Sequence, residues 1–415
     1  MAGSPRWMID RVFLGMILII PFIPMPTLDH PAKYIAPVVI SLVLYIYLIW
    51  FLGRKVRTSV PEDKSALLGF LLFFVMLVYL ARILVNGEWG EVNHLAGRSL
   101  ASLLMVALLS WMNLREVKVK DIFRPLFYGS VLLSLFVVFI GITGIPLFGA
   151  DQVRPPRTFG ITLPFYKTDA IPRSYGEFGI IMSASWAYFL NYRKDYPRLL
   201  RYLIAVSMLL AVAISQSRSA YMGTLMVTAG YFLLRFRATK RLVAALLVAS
   251  LVMPVLINIV PRNLPVFRAL VSEGQYQYNV DERYYEYTAA IKAVTENPTV
   301  FFVGVPHSEW TYYSRGMISE GEALHNHFLS MLVFFGIIGG LINLLVYILP
   351  IMNLVQTNSY AGKDISVILL ASIGMLIGLN FYEGFFSMVA ALIISCMWYS
   401  FRLFGGGEPV SDVER

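Results

Sequence analysis

The sequence predicts an all-α polytopic membrane protein of about twelve transmembrane helices, with a long outer loop between spans nine and ten. Three observations predict it. Hydrophobic residues make up 58% of the 415-residue chain and charged residues 14%, where a soluble domain carries about 25% charged residues. Apolar runs of about 20 residues, the length a helix needs to cross a bilayer, recur along the chain. Lys and Arg gather in four short segments between those runs.

In order, the runs fall at about 10–26, 34–52, 66–85, 96–112, 126–148, 176–192, 198–214, 219–234, 241–260, 327–349, 364–381 and 385–403. The first resembles a secretory signal in length. It has no small-x-small cleavage site, and Pro21, Pro24 and Pro26 crowd its end, so it reads as a retained span. The segments GRKVRTSVPEDK, NLREVKVKDIFR, NYRKDYPRLLR and LRFRATKR carry four Lys or Arg each and lie on one side of this layout. The positive-inside rule makes that side cytoplasmic, with both termini. The net charge of +9 then belongs to inner loops, and no nucleic-acid partner is expected. Cys396 is the single cysteine and lies in an apolar run, which excludes an intrachain disulfide and a cysteine metal site. The organisation that follows is spans 1–9 over 1–260, a periplasmic loop expected to form a lid with an amphipathic helix over 261–326, spans 10–12 over 327–403, and a flexible cytoplasmic tail over 404–415.

The outer side should be poor in cations, yet Arg154, Arg157, Lys167, Arg173, Arg218, Arg262, Arg268, Arg283 and Arg315 all fall there. Singly, each reads as a solvated loop charge or a partner for an acid such as Glu282 or Glu286. As a set they point to an anionic ligand on the outer face. Arg218 stands out because "SQSRS" joins two apolar spans by a hairpin too short to lift it into bulk water. An arginine at a membrane edge is a functional candidate by default, the ordinary alternative being a snorkelling contact with lipid headgroups. Arg283 falls in "NVDERYYEYTAAIKAVTENP", where Asp281 can cap a helix, Arg283, Tyr287, Ala290 and Val294 follow helical spacing, and Asn297-Pro298 stops it. An amphipathic helix starting near Arg283 is therefore expected in the outer loop; the bland role for this arginine is an i,i+3 pair with Glu286.

Two of the five histidines, His325 and His327, flank Asn326 at the head of an apolar run. On a helix they would point about 200° apart and could not chelate one ion as an i,i+4 pair can. The chain holds no HExxH, no Asp-x-Asp and no GxxxxGK[ST] loop, so neither a catalytic metal nor ATP drive is expected.

The stretch His325, Asn326, nine residues, Gly336, two residues, Gly339 resembles the signature of the O-antigen ligase family, which shares its fold with the O-antigen polymerases. The family's Ser/Arg-rich hairpin is similar to "SQSRSAYMG", and its arginine opening a periplasmic helix that ends before Pro and Gly is similar to Arg283, Pro298 and Gly304. The resemblance implies glycan transfer at the periplasmic face of the bacterial inner membrane. It implies a polysaccharide on undecaprenyl pyrophosphate as donor and lipid A–core oligosaccharide as acceptor, with membrane lipids around the site and no cofactor. Carried over, His325 is the base, and Arg218 and Arg283 hold the pyrophosphate. Asn326, His327, Arg154, Arg157 and Arg173 stand as secondary site residues. Polymerases often show Arg, ten residues, Gly in two periplasmic loops; none of Arg154, Arg157, Arg173, Arg262 or Arg283 has Gly eleven places on, which favours ligase over polymerase. A lipid or solute transporter is the reading from a different class. It predicts mid-membrane acids or broken helices together with repeat symmetry.

Overall fold

In a computed structural model of the protein the described residues are 5–22, 64–86, 92–145, 153–154, 167–168, 175–215, 217–235, 240–259, 275–296, 298–305, 310, 312–313, 324, 326–356, 362–380 and 387–405. The helices are α1 (Pro5–Ile19, extended by a 3-10 turn Ile20–Phe22), α2 (Ser65–Asn86), α3 (Val92–Arg115), α4 (Val119–Thr143), α5 (Tyr175–Tyr192), α6 (Arg198–Ser215), α7 (Arg218–Arg235), α8 (Lys240–Ile259), α9 (Gln275–Glu296), α10 (Pro298–Val303), α11 (His327–Gln356), α12 (Lys363–Leu379) and α13 (Met388–Gly405). Each predicted span except 34–52, which lies outside the described residues, overlaps one of these helices, that at 327–349 a helix with a break. By length and composition α4, α6 and α11 are long and apolar enough to cross a membrane.

The all-α expectation needs one amendment. Val153–Arg154 and Lys167–Thr168 form a two-residue antiparallel ladder, in register Val153↔Thr168 and Arg154↔Lys167. The loop that holds it has no apolar period to make a helix, and pairing satisfies backbone groups that would otherwise need water.

The centre of the bundle is α5 with α12. Every residue from 176 to 190 and from 366 to 380 is buried, as expected for helices apolar on all faces. Small residues let the backbones approach. Ser183 of α5 fits between Gly223 of α7 and Gly374 of α12, where a Cβ on either glycine would collide with it. Without a hydrophobic drive between helices in lipid, such close packing holds a membrane bundle together. Ser185 adds a hydrogen bond to Ser130 of α4 at 2.6 Å.

Polar contacts define two poles. At one, Tyr192 closes α5 against Asp364 at the start of α12, and Lys120 pairs with Asp195 at 2.6 Å. Arg402 pairs with Glu116 at 2.5 Å. The Arg193 guanidinium lies 5.5 Å from the Tyr231 ring centroid, and Arg235 donates to the hydroxyl of that tyrosine at 3.1 Å. The basic segments 113–124 and 191–201 and the end of α7 at Arg235 thus meet at one end. At the opposite pole lie the starts of α5 and α7 and the end of α12. There Gly179 abuts Ser219 and the Ala220 amide, and Gly378 abuts Ile180 and the Gly176 carbonyl.

Candidate functional site

The hairpin between α6 and α7 sits at this second pole and turns on serine hydroxyls. Ser217 caps α7: its Oγ accepts the Ala220 N–H at 3.3 Å, which occupies an N–H that the first turn leaves open. Ser217 Oγ also bonds Ser219 Oγ at 2.8 Å, and Ser215 Oγ donates to the Val212 carbonyl at 2.8 Å while accepting the Ser217 N–H at 3.3 Å. The three serines are buried. Arg218, half-buried, is the first residue of α7, at the positive end of the helix dipole.

The second element overturns an expectation. The run 327–349 reads as one continuous span, but the helix breaks at Gly336 (φ 64°, ψ −174°), and the chain folds back. His327 Nε2 lies 2.9 Å from Tyr347 Oη and 3.4 Å from Asn343 Nδ2, and a Cβ on Gly340 would stand 3.4 Å from Leu332 Cα. In an unbroken helix His327 and Tyr347 would be about 30 Å apart. α11 is therefore two arms, 327–335 and 337–356, packed side by side. The second arm is about 30 Å long and suffices to cross a bilayer. The first arm climbs from Asn326 to the turn, which puts Asn326 beside the middle of the second arm.

The turn is clamped by backbone. A Cβ on Gly336 would collide with the Phe302 carbonyl and stand 2.6 Å from Val303 N. A Cβ on Gly304 (φ 91°) would collide with the Phe334 carbonyl and stand 2.7 Å from Phe335 N. The Val305 N–H donates to the Val333 carbonyl at 2.7 Å, whose helical partner would be the N–H of residue 337, across the break. Two glycines in conformations that side chains avoid let the segment after α10 lie directly on the α11 turn. Around them Ala289, Ala290, Ala293 and Val294 of α9, with Val305 and Trp310, bury against Val333, Phe334 and Phe335 of the first arm.

Helix α9 differs from its expected form. It starts at Gln275, so Asp281 lies in its second turn and is no cap. Gly274 is the nearest breaker, and nothing from 275 to 280 opposes helix. It stops at Glu296, before Asn297-Pro298, as expected. Ala290 and Val294 are buried as their spacing predicts, and Glu286 is 4% exposed.

Asn326 joins these elements. Its Oδ1 accepts the Leu329 N–H at 3.0 Å and caps α11. Its Nδ2 donates to Tyr287 Oη of α9 at 3.2 Å and to Asn380 Oδ1 at the end of α12 at 3.0 Å.

Of the predicted site residues, Asn326 is buried at this junction and His327 is buried against Tyr347, in the hairpin interior. Arg218 lies at the same pole, linked through Gly179 of α5 and Gly378 of α12. Arg283 lies on α9, one turn before Tyr287. Arg154 is in the two-residue ladder, while His325, Arg157 and Arg173 lie outside the described residues. Sequence reading missed Tyr287, Asn343, Tyr347, Asn380 and Glu177. Glu177, buried in the first turn of α5 two residues before Gly179, carried a usable signal, an acid at the head of an apolar run. A cleft of about 780 Å³ between α1, α3 and α4, lined by Asp10, Trp111, Arg115, Lys118, Arg124 and Tyr128, belongs to the basic pole.

Fold and site together define a helical membrane protein with a polar junction at the pole away from its basic loops. Residues 203–344 match the family model described as O-antigen ligase, which assigns this region to the O-antigen ligase family and bears out the resemblance read from its motifs. The match covers about a third of the chain and supports an enzyme of the O-antigen ligase or polymerase type. No curated protein matches the chain.

Proposed function

We propose that the protein is an O-antigen ligase of the bacterial inner membrane. It spans the membrane about twelve times with the basic pole in the cytoplasm, and it moves a polysaccharide from undecaprenyl pyrophosphate to a hydroxyl of lipid A–core oligosaccharide at the periplasmic pole. The observation that carries this reading is the convergence at one pole of three things: the Arg218 hairpin, helix α9 with Arg283, and Asn326, the chain neighbour of His325.

The chemistry follows from the groups available. The acceptor oxygen attacks the anomeric carbon as the bond to pyrophosphate breaks, with inversion. The proton of the acceptor hydroxyl passes to His325, and undecaprenyl pyrophosphate departs with the bonding pair. Pyrophosphate is a good leaving group and needs charge stabilisation more than protonation. The guanidinium forks of Arg218 and Arg283 supply it, on a water-poor surface where preorganised donors act most strongly. The weak nucleophile needs a base, which contributes about 10²–10⁴-fold.

The break at Gly336 is a feature of the transporter reading. Its turn, however, is packed on the backbone of residues 302–305, and the family match favours transfer.

The test is lipopolysaccharide banding in a deletion strain carrying variants, with donor binding and single-turnover rates on purified protein in the presence of a chelator. Loss of the ladder with donor accumulation supports ligase, whereas a single-repeat band indicates polymerase. His325→Ala should lose turnover by about 10²–10⁴-fold and keep donor affinity. Arg218→Ala and Arg283→Ala should lose affinity as well, and lysine should rescue either poorly because it lacks the bidentate fork. Loss of donor affinity in His325→Ala as severe as in the arginine variants would make it a phosphate ligand instead of a base.

A further inference from the structure

Asn380 is 2% exposed at the end of α12, and all its hydrogen-bonding directions are spoken for. Its Nδ2 donates to Leu376 O at 2.8 Å and to Ser250 O of α8 at 3.5 Å. The Ser250 carbonyl would ordinarily accept the N–H of residue 254, but that residue is Pro254, which has none. The proline leaves an open acceptor inside the bundle, and the amide of Asn380 fills it.

This fixes the orientation of the next amide. With Nδ2 of Asn380 held by two carbonyls, its Oδ1 must face Asn326, and there it accepts from Asn326 Nδ2 at 3.0 Å. A flipped Asn380 would set oxygen against both carbonyls, and a flipped Asn326 would set an NH₂ against the Leu329 N–H that its oxygen now caps. The remaining donor of Asn326 reaches Tyr287 Oη at 3.2 Å. A single determined path therefore runs from α8 through α12 to the head of α11 and on to α9. Its last two members adjoin the candidate machinery: Asn326 is bonded to His325, and Tyr287 is one turn along α9 from Arg283.

We propose that Asn380 is a positioning residue for glycan transfer. It acts through Asn326, the chain neighbour of His325, which it ties to the helix carrying Arg283. The inference rests on the reading of His325 as the base. Asn380 acts at one remove from the chemistry: it holds Asn326, the chain neighbour of the base, and transfer rates are sensitive to orientation.

The experiment uses full-length protein in lipid nanodiscs with lipid-pyrophosphate-linked donor and lipid A–core acceptor. It compares kcat and donor KM for wild type, Asn380→Leu, Tyr287→Phe, His325→Ala and the double variant Asn380→Leu/His325→Ala. Asn380→Leu is expected to lower kcat at least tenfold with donor KM within twofold. Tyr287→Phe, which deletes one hydroxyl at a half-buried position, is expected to lower kcat about threefold. In the His325→Ala background Asn380→Leu is expected to change the residual rate less than twofold, because the group it positions is gone. A merely structural role would instead move KM and lower the residual rate by the same factor in both backgrounds, and that result overturns the proposal. So does wild-type kcat in a folded, monodisperse Asn380→Leu. If Asn380→Leu does not fold, Tyr287→Phe decides: unchanged kcat overturns the proposal, a threefold fall with constant KM upholds it. Wild-type turnover in His325→Ala would sink the base assignment, an outcome separate from any result at Asn380.

Discussion

At Ser215–Arg218 the chain reverses with three serine hydroxyls; at Gly336 it reverses with no side chain at all. The first turn carries local hydrogen bonds, since Ser217 caps α7 and Ser215 holds the Ser217 amide. The second depends on another part of the chain. The Gly336 conformation is one that essentially only glycine adopts, and its neighbour carbonyl at Val333 is satisfied from outside by Val305. A turn built from side chains can form as soon as its own sequence does. A turn built from bare backbone needs residues 302–305 to dock. The arginine hairpin is thus built from its own side chains, whereas the α11 turn and the segment 302–305 packed on it stand or fall together.

The largest expected effect in this contrast is at Gly336. Gly336→Ala combines about 1–3 kcal/mol of backbone strain with a collision against the Phe302 carbonyl, so the segment 302–305 should lift. Hydrogen exchange should rise at Val305 and across α10, and transfer should fall at least tenfold. Protection at Val305 unchanged from wild type would mean that the clamp is not what holds that segment. Gly304→Ala, the reciprocal partner, should mimic it.

Next in size is Ser217→Ala. Loss of a helix cap costs about 0.5–2 kcal/mol, and thermal unfolding should report it as a lowered Tm without any change in exchange at Val305. A variant that lifted the segment 302–305 as well would break the claim that the two turns are independent.

The smallest effect belongs to Tyr347→Phe, which removes the hydroxyl 2.9 Å from His327 Nε2. Side-chain hydrogen bonds between membrane helices average about 0.6 kcal/mol. Turnover should stay within about threefold, consistent with His327 serving the packing of the two arms; a collapse of activity comparable to that of His325→Ala would move His327 into the chemistry.

The same contrast explains what could be read from the sequence. The serine hairpin was legible because its chemistry is local: cap, hydroxyls and arginine stand side by side in "SQSRS". The end of α9 before Asn297-Pro298 and the buried face at Ala290 and Val294 were legible for the same reason. The reversal at Gly336 was not. Two apolar arms packed on one another and under an apolar segment give the same uninterrupted hydrophobic run as one straight span, and periodicity alone cannot separate the two. The signature glycine was visible as a letter, but its reason, the Phe302 carbonyl, lies more than thirty residues away in sequence. Asn380 was silent likewise, because its role is set by an acceptor freed by Pro254 on another helix. α9 was begun too late because an acid after an asparagine looks like a cap even when helix already precedes it.

The reversal at Gly336 is the claim on which the placement of Asn326 depends, and a disulfide tests it directly. In a Cys396→Ala background, Leu332→Cys and Gly340→Cys are introduced together, the protein is oxidised in the membrane, and free thiols are counted by alkylation and mass after denaturation. Folded-back arms bring position 340 against Leu332, with its Cβ site 3.4 Å from the Leu332 Cα, within the reach of a disulfide. The expected result is loss of both free thiols. In a straight helix the two positions would stand about 12 Å apart, and recovery of both thiols in alkylated form from active protein would contradict the account.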